Sequence, residues 1–247
     1  MKKLPIILLF IPLISFGQNE KNDTIHKIQN IKFNYKSLII PSVLIGYGII
    51  GIENDALKLF NYEIQEELKE HIDNKLKIDD VSLFVPSLSV YALNAIGIKG
   101  KNNFKNRTII LGTASLIMGS TVNGMKKLTA IERPDGSNKF SFPSGSTATA
   151  FMGAEFLYQE YKDVSIWYGI SGYLVATGTG FLRIYNNRHW FTDVVTGAGI
   201  GILSTKIAYW IHPFVKKKLF KDKKEINELV IPFYNGKEYG LGLSMSF

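Results

Sequence analysis

The sequence predicts an all-α fold: a single helical bundle with about five helices that cross a membrane. Three observations carry that expectation. Apolar stretches rich in Gly, Ala, Ser and Thr recur at 81–98, 108–125, 145–158, 166–182 and 194–211, and small residues let helices approach closely in lipid or in a protein core. Period-two alternation, the mark of a strand, is scarce before residue 230. The 247 residues suffice for one sizeable core, and none of them is Cys, which excludes disulfides and thiolate metal sites.

Each segment has its own local reason. Lys2 and Lys3 precede an apolar run from Leu4 to Phe16, and Ser15 and Gly17 supply small residues near a cut site. Residues 1–17 therefore read as a signal peptide for export, with an uncleaved anchor as the alternative. Residues 18–36 are polar and read as a flexible N-terminal segment. Residues 37–52 are apolar but short, broken by Pro41 and three glycines, and are expected to lie along the membrane surface. An amphipathic helix is expected near 55–76, where Leu57, Leu59, Phe60, Ile64, Leu68, Ile72 and Leu76 recur at roughly helical spacing. The helical domain then covers 37–215, and a basic tail covers 216–247. That tail starts KKKLFKDKK and carries Asn235-Gly236, a turn pair flanked by weak alternation, so it reads as a short strand or hairpin.

Charge orients the bundle. Residues 53–80 hold nine acidic and four basic side chains, whereas 99–107 hold Lys99, Lys101, Lys105 and Arg107 with no acid. With five spans, the positive-inside rule puts 99–107 and 216–224 on the cytoplasmic side and 53–80 outside. Residues 126–144 and 183–193 then share the outer, periplasmic side of an inner membrane. A soluble or peripheral periplasmic bundle, its helices buried on all sides, is the alternative. The net charge of +8 does not signal nucleic acid, because the lysines fall in separate clusters without interleaved aromatics.

Chemistry concentrates at helix ends. Lys126, Arg133 and Arg183 each stand beside one; an arginine fork matches a tetrahedral oxyanion and a lysine adds a mobile charge. Pro143-Ser144-Gly145 precedes an apolar run, so Ser144 is placed to cap a helix whose first N–H groups can face an anion. Gly145 lets the backbone come close to a bound group. His189 and Asp193 are four apart and share a helix face, where a carboxylate on one ring nitrogen raises the basicity of the other. Each has a plainer reading: a snorkelling arginine, an ordinary cap, a histidine satisfied by a nearby acid.

Taken in order, Lys126 with Arg133-Pro134, then Pro143-Ser144-Gly145, then Arg183 with His189 and Asp193 resemble the three signatures of the type 2 phosphatidic acid phosphatase (PAP2) and vanadium haloperoxidase superfamily. The resemblance covers roughly residues 80–212 and implies a PAP2-type helical bundle with no required metal or cofactor. It implies that Lys126, Arg133 and Arg183 hold phosphate oxygens, that Ser144 and Gly145 add a hydroxyl and backbone donors, that His189 is the nucleophile, and that Asp193 orients it. The expected substrates are a phosphorylated lipid, a polyprenyl diphosphate or a small phosphate ester, hydrolysed through a phosphohistidine.

One position departs from the pattern. Where the family has a histidine that protonates the departing oxygen, this chain has Ser146. A hydroxyl is far too weak an acid for that task, and general acid catalysis typically contributes about 10²–10⁴-fold. Another group such as His71 or a water, with His26 and His212 less well placed, takes over the role; or the substrate carries a good leaving group; or the site only binds anions or phospholipid as part of an envelope protein. A vanadium-dependent haloperoxidase is the least favoured reading, because it needs the same missing histidine.

Overall fold

The computed structural model describes residues 35–70, 77–220, 228–234 and 239–245. The expected signal peptide, nearly all of the N-terminal segment, His26 and His71 lie outside them. A 3₁₀ turn at Tyr35–Leu38 leads into eight helices: α1 (Ile39–Ile50), α2 (Asp55–Glu70), α3 (Asp79–Ser82), α4 (Val85–Ala95), α5 (Phe104–Thr129), α6 (Gly145–Tyr161), α7 (Ile166–Tyr185) and α8 (Phe191–Leu219). Two strands, β1 (Glu228–Tyr234) and β2 (Tyr239–Met245), pair antiparallel from Glu228↔Met245 to Tyr234↔Tyr239.

Local chemistry sets the helix boundaries. Asn103 caps α5 by accepting from the Asn106 N–H at 2.9 Å, and Ser165 caps α7 by accepting from the Trp167 N–H at 3.4 Å. α5 ends at Ala130, whose φ of 47° is left-handed; its N–H closes on the Lys126 carbonyl and turns the chain sharply away. A left-handed alanine costs about 1–2 kcal/mol, so the surrounding contacts impose that bend. Pro41 stands in the first turn of α1, where its missing N–H breaks no helical bond.

α6 is the centre. It packs against α4, α5, α7 and α8, and Ala148, Ala150, Ala154 and Phe156 have no exposed surface. Glycines on α8 make this contact possible: a Cβ on Gly201 would stand 2.3 Å from the Ala148 carbonyl, and one on Gly197 would stand 2.5 Å from the Ser144 carbonyl. α1 packs on another side of α8, where a Cβ on Gly199 would meet the Pro41 carbonyl at 2.8 Å. Residues 39–50 are therefore packed against α8 on one side, with Ile39, Ile40, Val43 and Ile50 exposed on the other. Together with α2, beyond a 92° bend, they form a third candidate crossing.

The expectation of five spans is corrected. Among the described residues two helices, α5 and α8, are long and apolar enough to cross a membrane, or three if the bent α1–α2 pair counts as one. The 11 residues of α4 rise only about 16 Å, against a hydrocarbon core of about 30 Å. The 17 residues of α6 include Glu155 and Glu160, both buried by protein. α7 has 20 residues, but its glycines, threonines, tyrosines and Arg183 dilute its apolar character. The helix expected near 55–76 is observed as α2 up to Glu70, where the described residues pause.

Candidate active site

The N-termini of α6 and α8 and the turn after α5 meet at one end of the bundle. Asp193, in the first turn of α8, is the hub. Its Oδ2 accepts from the Trp190 N–H at 2.9 Å, closing the first turn in the manner of a capping box. The same oxygen accepts from the Ser141 hydroxyl and lies 3.4 Å from His189 Nδ1. Its backbone carbonyl accepts from the Ser144 N–H at 3.0 Å, so the α6 and α8 starts are joined.

His189 is buried, with 3 % of its surface exposed, and is reached by a turn in which Asn187 takes a φ of 58°. Asparagine tolerates that conformation, and the turn lets the Arg183 carbonyl accept from the Arg188 N–H at 3.0 Å and the His189 N–H at 3.3 Å. Burial pushes the imidazole below its ordinary range. The Asp193 hydrogen bond and charge pull it back upward, and the Lys126 and Arg133 cations push it down again. The ring is therefore neutral at neutral pH and oriented by a carboxylate, as a nucleophile or base requires.

The cations are held differently. Lys126 Nζ donates to the Phe140 carbonyl at 2.6 Å and the Ser141 carbonyl at 3.2 Å. Arg133 lies on the loop after Ala130; its Nε is buried without a hydrogen-bond partner in the described structure. Burial and the nearby Arg188 and Arg183 push its guanidinium below the usual range, with Asp135 opposing them, yet arginine stays charged at any working pH. Arg183 is already engaged: Nη2 meets Asp80 Oδ1 at 2.8 Å, and Nε lies 3.2 Å from Asp79 Oδ2.

The hydroxyl positions divide. Ser144 is fully buried and caps α6, lying 3.4 Å from the Thr147 N–H and 2.9 Å from the Thr147 hydroxyl. Gly145 opens the helix, and a Cβ there would make only ordinary contact with Val122 at 3.5 Å. Ser146 follows in the same turn, half-buried. His212 lies far along α8 with a buried Nδ1 and is not part of this end.

A cavity of about 510 Å³ opens beside this group. Arg133, Asp193, Trp190 and the α2 residues Tyr62 and Glu66 line it, while His189 does not. Several site residues carry no signal along the chain. Ser141 has no signal beyond its place before Pro143. Asp79 and Asp80 look like any acids in a charged stretch. Asn61 looks like a solvated helix residue, yet its amide donates to the Thr192 hydroxyl at 3.0 Å and accepts from the Thr192 N–H at 3.2 Å.

Residues 105–217 match the PAP2 superfamily. A lipid A 1-phosphatase of Porphyromonas gingivalis is 38% identical over 174 residues, covering 66% of this chain and 39% of that protein. The chain thus spans about two fifths of that relative's length. Among solved structures, a transmembrane PAP2-type phosphatidylglycerolphosphate phosphatase from Bacillus subtilis is similar with a TM-score of 0.48 and 22% identity, covering 75% of this chain and 98% of its own. Aquifex aeolicus LpxE is similar with a TM-score of 0.43 and 21% identity, covering 72% of this chain and 97% of its own.

Proposed function

We propose that the chain is a PAP2-type phosphatase that hydrolyses a lipid phosphate or a related phosphate ester through a phosphohistidine. The observation that carries this reading is the junction at Asp193, where one carboxylate binds Ser141, lies against His189 and caps α8, while its carbonyl holds Ser144. It draws all three signature segments together around an imidazole with two nearby cations. His189 attacks phosphorus through Nε2, and the P–O bond to the leaving group breaks. Water then hydrolyses the phosphohistidine, returning neutral His189 and inorganic phosphate. Lys126, Arg133 and the α6 start at Gly145 hold the phosphoryl oxygens. Arg183, held by Asp79 and Asp80, would join them as a third cation. The lipid A 1-phosphatase relative supports a phosphorylated lipid as substrate.

The same reading places the protein in a membrane. α5 and α8 have span-like length and composition, and large apolar side chains point outward, including Leu116 at 74%, Leu128 at 87% and Leu174 at 68% exposure. Lys105 stacks over the Phe220 ring at 3.4 Å, so the α5 start and the α8 end, with Lys216, Lys217 and Lys218, share one basic end. The positive-inside rule assigns that end to the cytoplasm and the Asp193 end to the periplasm.

A second reading, an anion-binding protein of impaired catalysis, is favoured by Ser146 in place of an acid and by the two carboxylates on Arg183. Phosphate release from a ladder of leaving groups, nitrophenyl ester to simple alkyl phosphate, separates the two when His189→Ala is run alongside. Turnover lost in the variant supports the phosphatase. Phosphate binding without release from any ester supports the anion binder.

A further inference from the structure

The cavity beside Arg133 has a second wall that the reaction above does not use. α2 contributes Lys58, Tyr62 and Glu66 to it, and the loop before Arg133 contributes Glu132. α2 lies outside the residues that match the superfamily model. Its position is fixed. Asn61 spends its amide on Thr192, and Gln65 donates to the Asn187 side chain and the Pro134 carbonyl. Those bonds pin α2 to the loops that carry Arg133 and His189. Arg133 also lines the cavity, and its Nε is buried without a hydrogen-bond partner, which suits the cavity to an anion.

We propose that this cavity is the leaving-group subsite of the phosphatase, and that α2 selects a neutral, hydroxyl-rich headgroup over an anionic one. The proposal rests on the phosphatase reading. Its chemistry follows from the wall. Glu66 and Glu132 are exposed acceptors in this wall, so a ligand that brings donors gains from them. Hydroxyl groups do so; a second phosphate would face two carboxylates instead. Lys58 does not reverse the balance, because Asp55 lies 3.6 Å from its ammonium. An acyl or prenyl chain would strand these charges against hydrocarbon. Tyr62 and Trp190, packed edge to face at 5.0 Å, supply the apolar surface against which the C–H face of a polyol or sugar ring rests. A volume of about 510 Å³ accommodates such a headgroup beside the phosphate.

The test is calorimetric titration of the full-length His189→Ala protein in detergent with glucose 6-phosphate, dimethylallyl diphosphate and inorganic phosphate. Glucose 6-phosphate should bind at least about fivefold tighter than phosphate, the worth of one added hydrogen bond, and the diphosphate no tighter than phosphate. The pair Glu66→Gln and Glu132→Gln should tighten the diphosphate by about fivefold or more and leave phosphate within about twofold. Tyr62→Ala should erase the sugar advantage. A diphosphate that binds tightest, a double variant with an unchanged ratio, or no binding of any probe overturns the subsite. Absent turnover by the wild-type chain, with the binding order as expected, overturns the phosphatase reading and with it the leaving-group role, while the headgroup selectivity of the cavity stands.

Discussion

Two ends of the same helix bury charge in opposite ways. At the C-terminal end of α6, Glu155 accepts from Lys206 and Gln159 at 2.7 Å each, and also from the Tyr173 hydroxyl. Glu160 accepts from Asn102 and Tyr209 at 2.6 Å each and lies 3.9 Å from Arg107, which itself donates to the Asn102 carbonyl. Every one of those four charges has a partner. About 17–24 Å along the helix, at the N-terminal end, Arg133 has a buried Nε with none, and Lys126 is held by carbonyls alone. A closed network of matched charges serves packing. A surplus of cation beside an oriented imidazole leaves a place for an anion. Both ends contain buried ionisable residues, so burial alone does not distinguish them; the tally of partners does.

The largest effect expected is at the open end. His189→Ala should reduce turnover to the uncatalysed background while phosphate binding persists, as stopped-assay phosphate release and calorimetry would record. Retained turnover would remove the nucleophile from His189 and dissolve the contrast. The closed end should respond in stability instead. Glu160→Ala leaves Arg107 buried without its carboxylate and should cost about 3–5 kcal/mol, read from thermal unfolding in detergent, with kcat unchanged for the molecules still folded.

Ser146→His sharpens the picture of the open end. Restoring an acid should raise kcat on an alkyl phosphate by about 10²-fold and on a nitrophenyl ester far less. Equal gains on both would show that the missing acid is not what Ser146 represents. Arg133→Ala should weaken phosphate by about 10–100-fold, the range for a hydrogen bond to a charged group. It should leave the unfolding temperature unchanged, because no internal hydrogen bond to Nε is lost. A large fall in stability would mean the two ends are alike after all.

The smallest effect is a shift in pH dependence. Burial depresses the His189 pKa below 6.5, and Asp193 opposes that shift. Activity that requires the neutral ring should hold above pH 6.5 and fall as pH drops through the lower folded value. Asp193→Asn removes the opposing effect, so the acid limb of kcat/KM should move to still lower pH, on top of a reduced rate. The same sign governs stability: what the neutral buried ring contributes is present above 6.5 and is lost on acidification through the folded pKa.

Much of the site was readable along the chain, because chemistry imposes its spacing. His189 and Asp193 sit four apart on the approach to α8, and Ser144 precedes an apolar run, which is how a cap is recognised. The supporting residues were not readable. Ser141, Asn61, Asp79 and Asp80 acquire their partners only when distant segments meet, 52, 131, 104 and 103 positions apart. Five apolar stretches do not make five spans, because helix length and buried charge decide which can cross: α4 has 11 residues, and α6 carries Glu155 and Glu160 inside protein. α5 and α6 look alike as strings of small and apolar residues, yet the described surface of α6 is largely covered by neighbouring helices.

The sequence by itself determined the helical class, the cations, the imidazole with its carboxylate, and the serine where an acid is expected. These are local facts of residue type and short interval; that His189, in the turn before α8, meets Asp193 in its first turn rather than along one helix face was set by the fold. Tertiary structure alone decided which charges are matched and which are left over. That outcome depends on how closely α8 can approach α6 at Gly197 and Gly201, and on where α2 and α3 come to rest. Close packing is a property of two surfaces at once, and no single stretch of chain contains both.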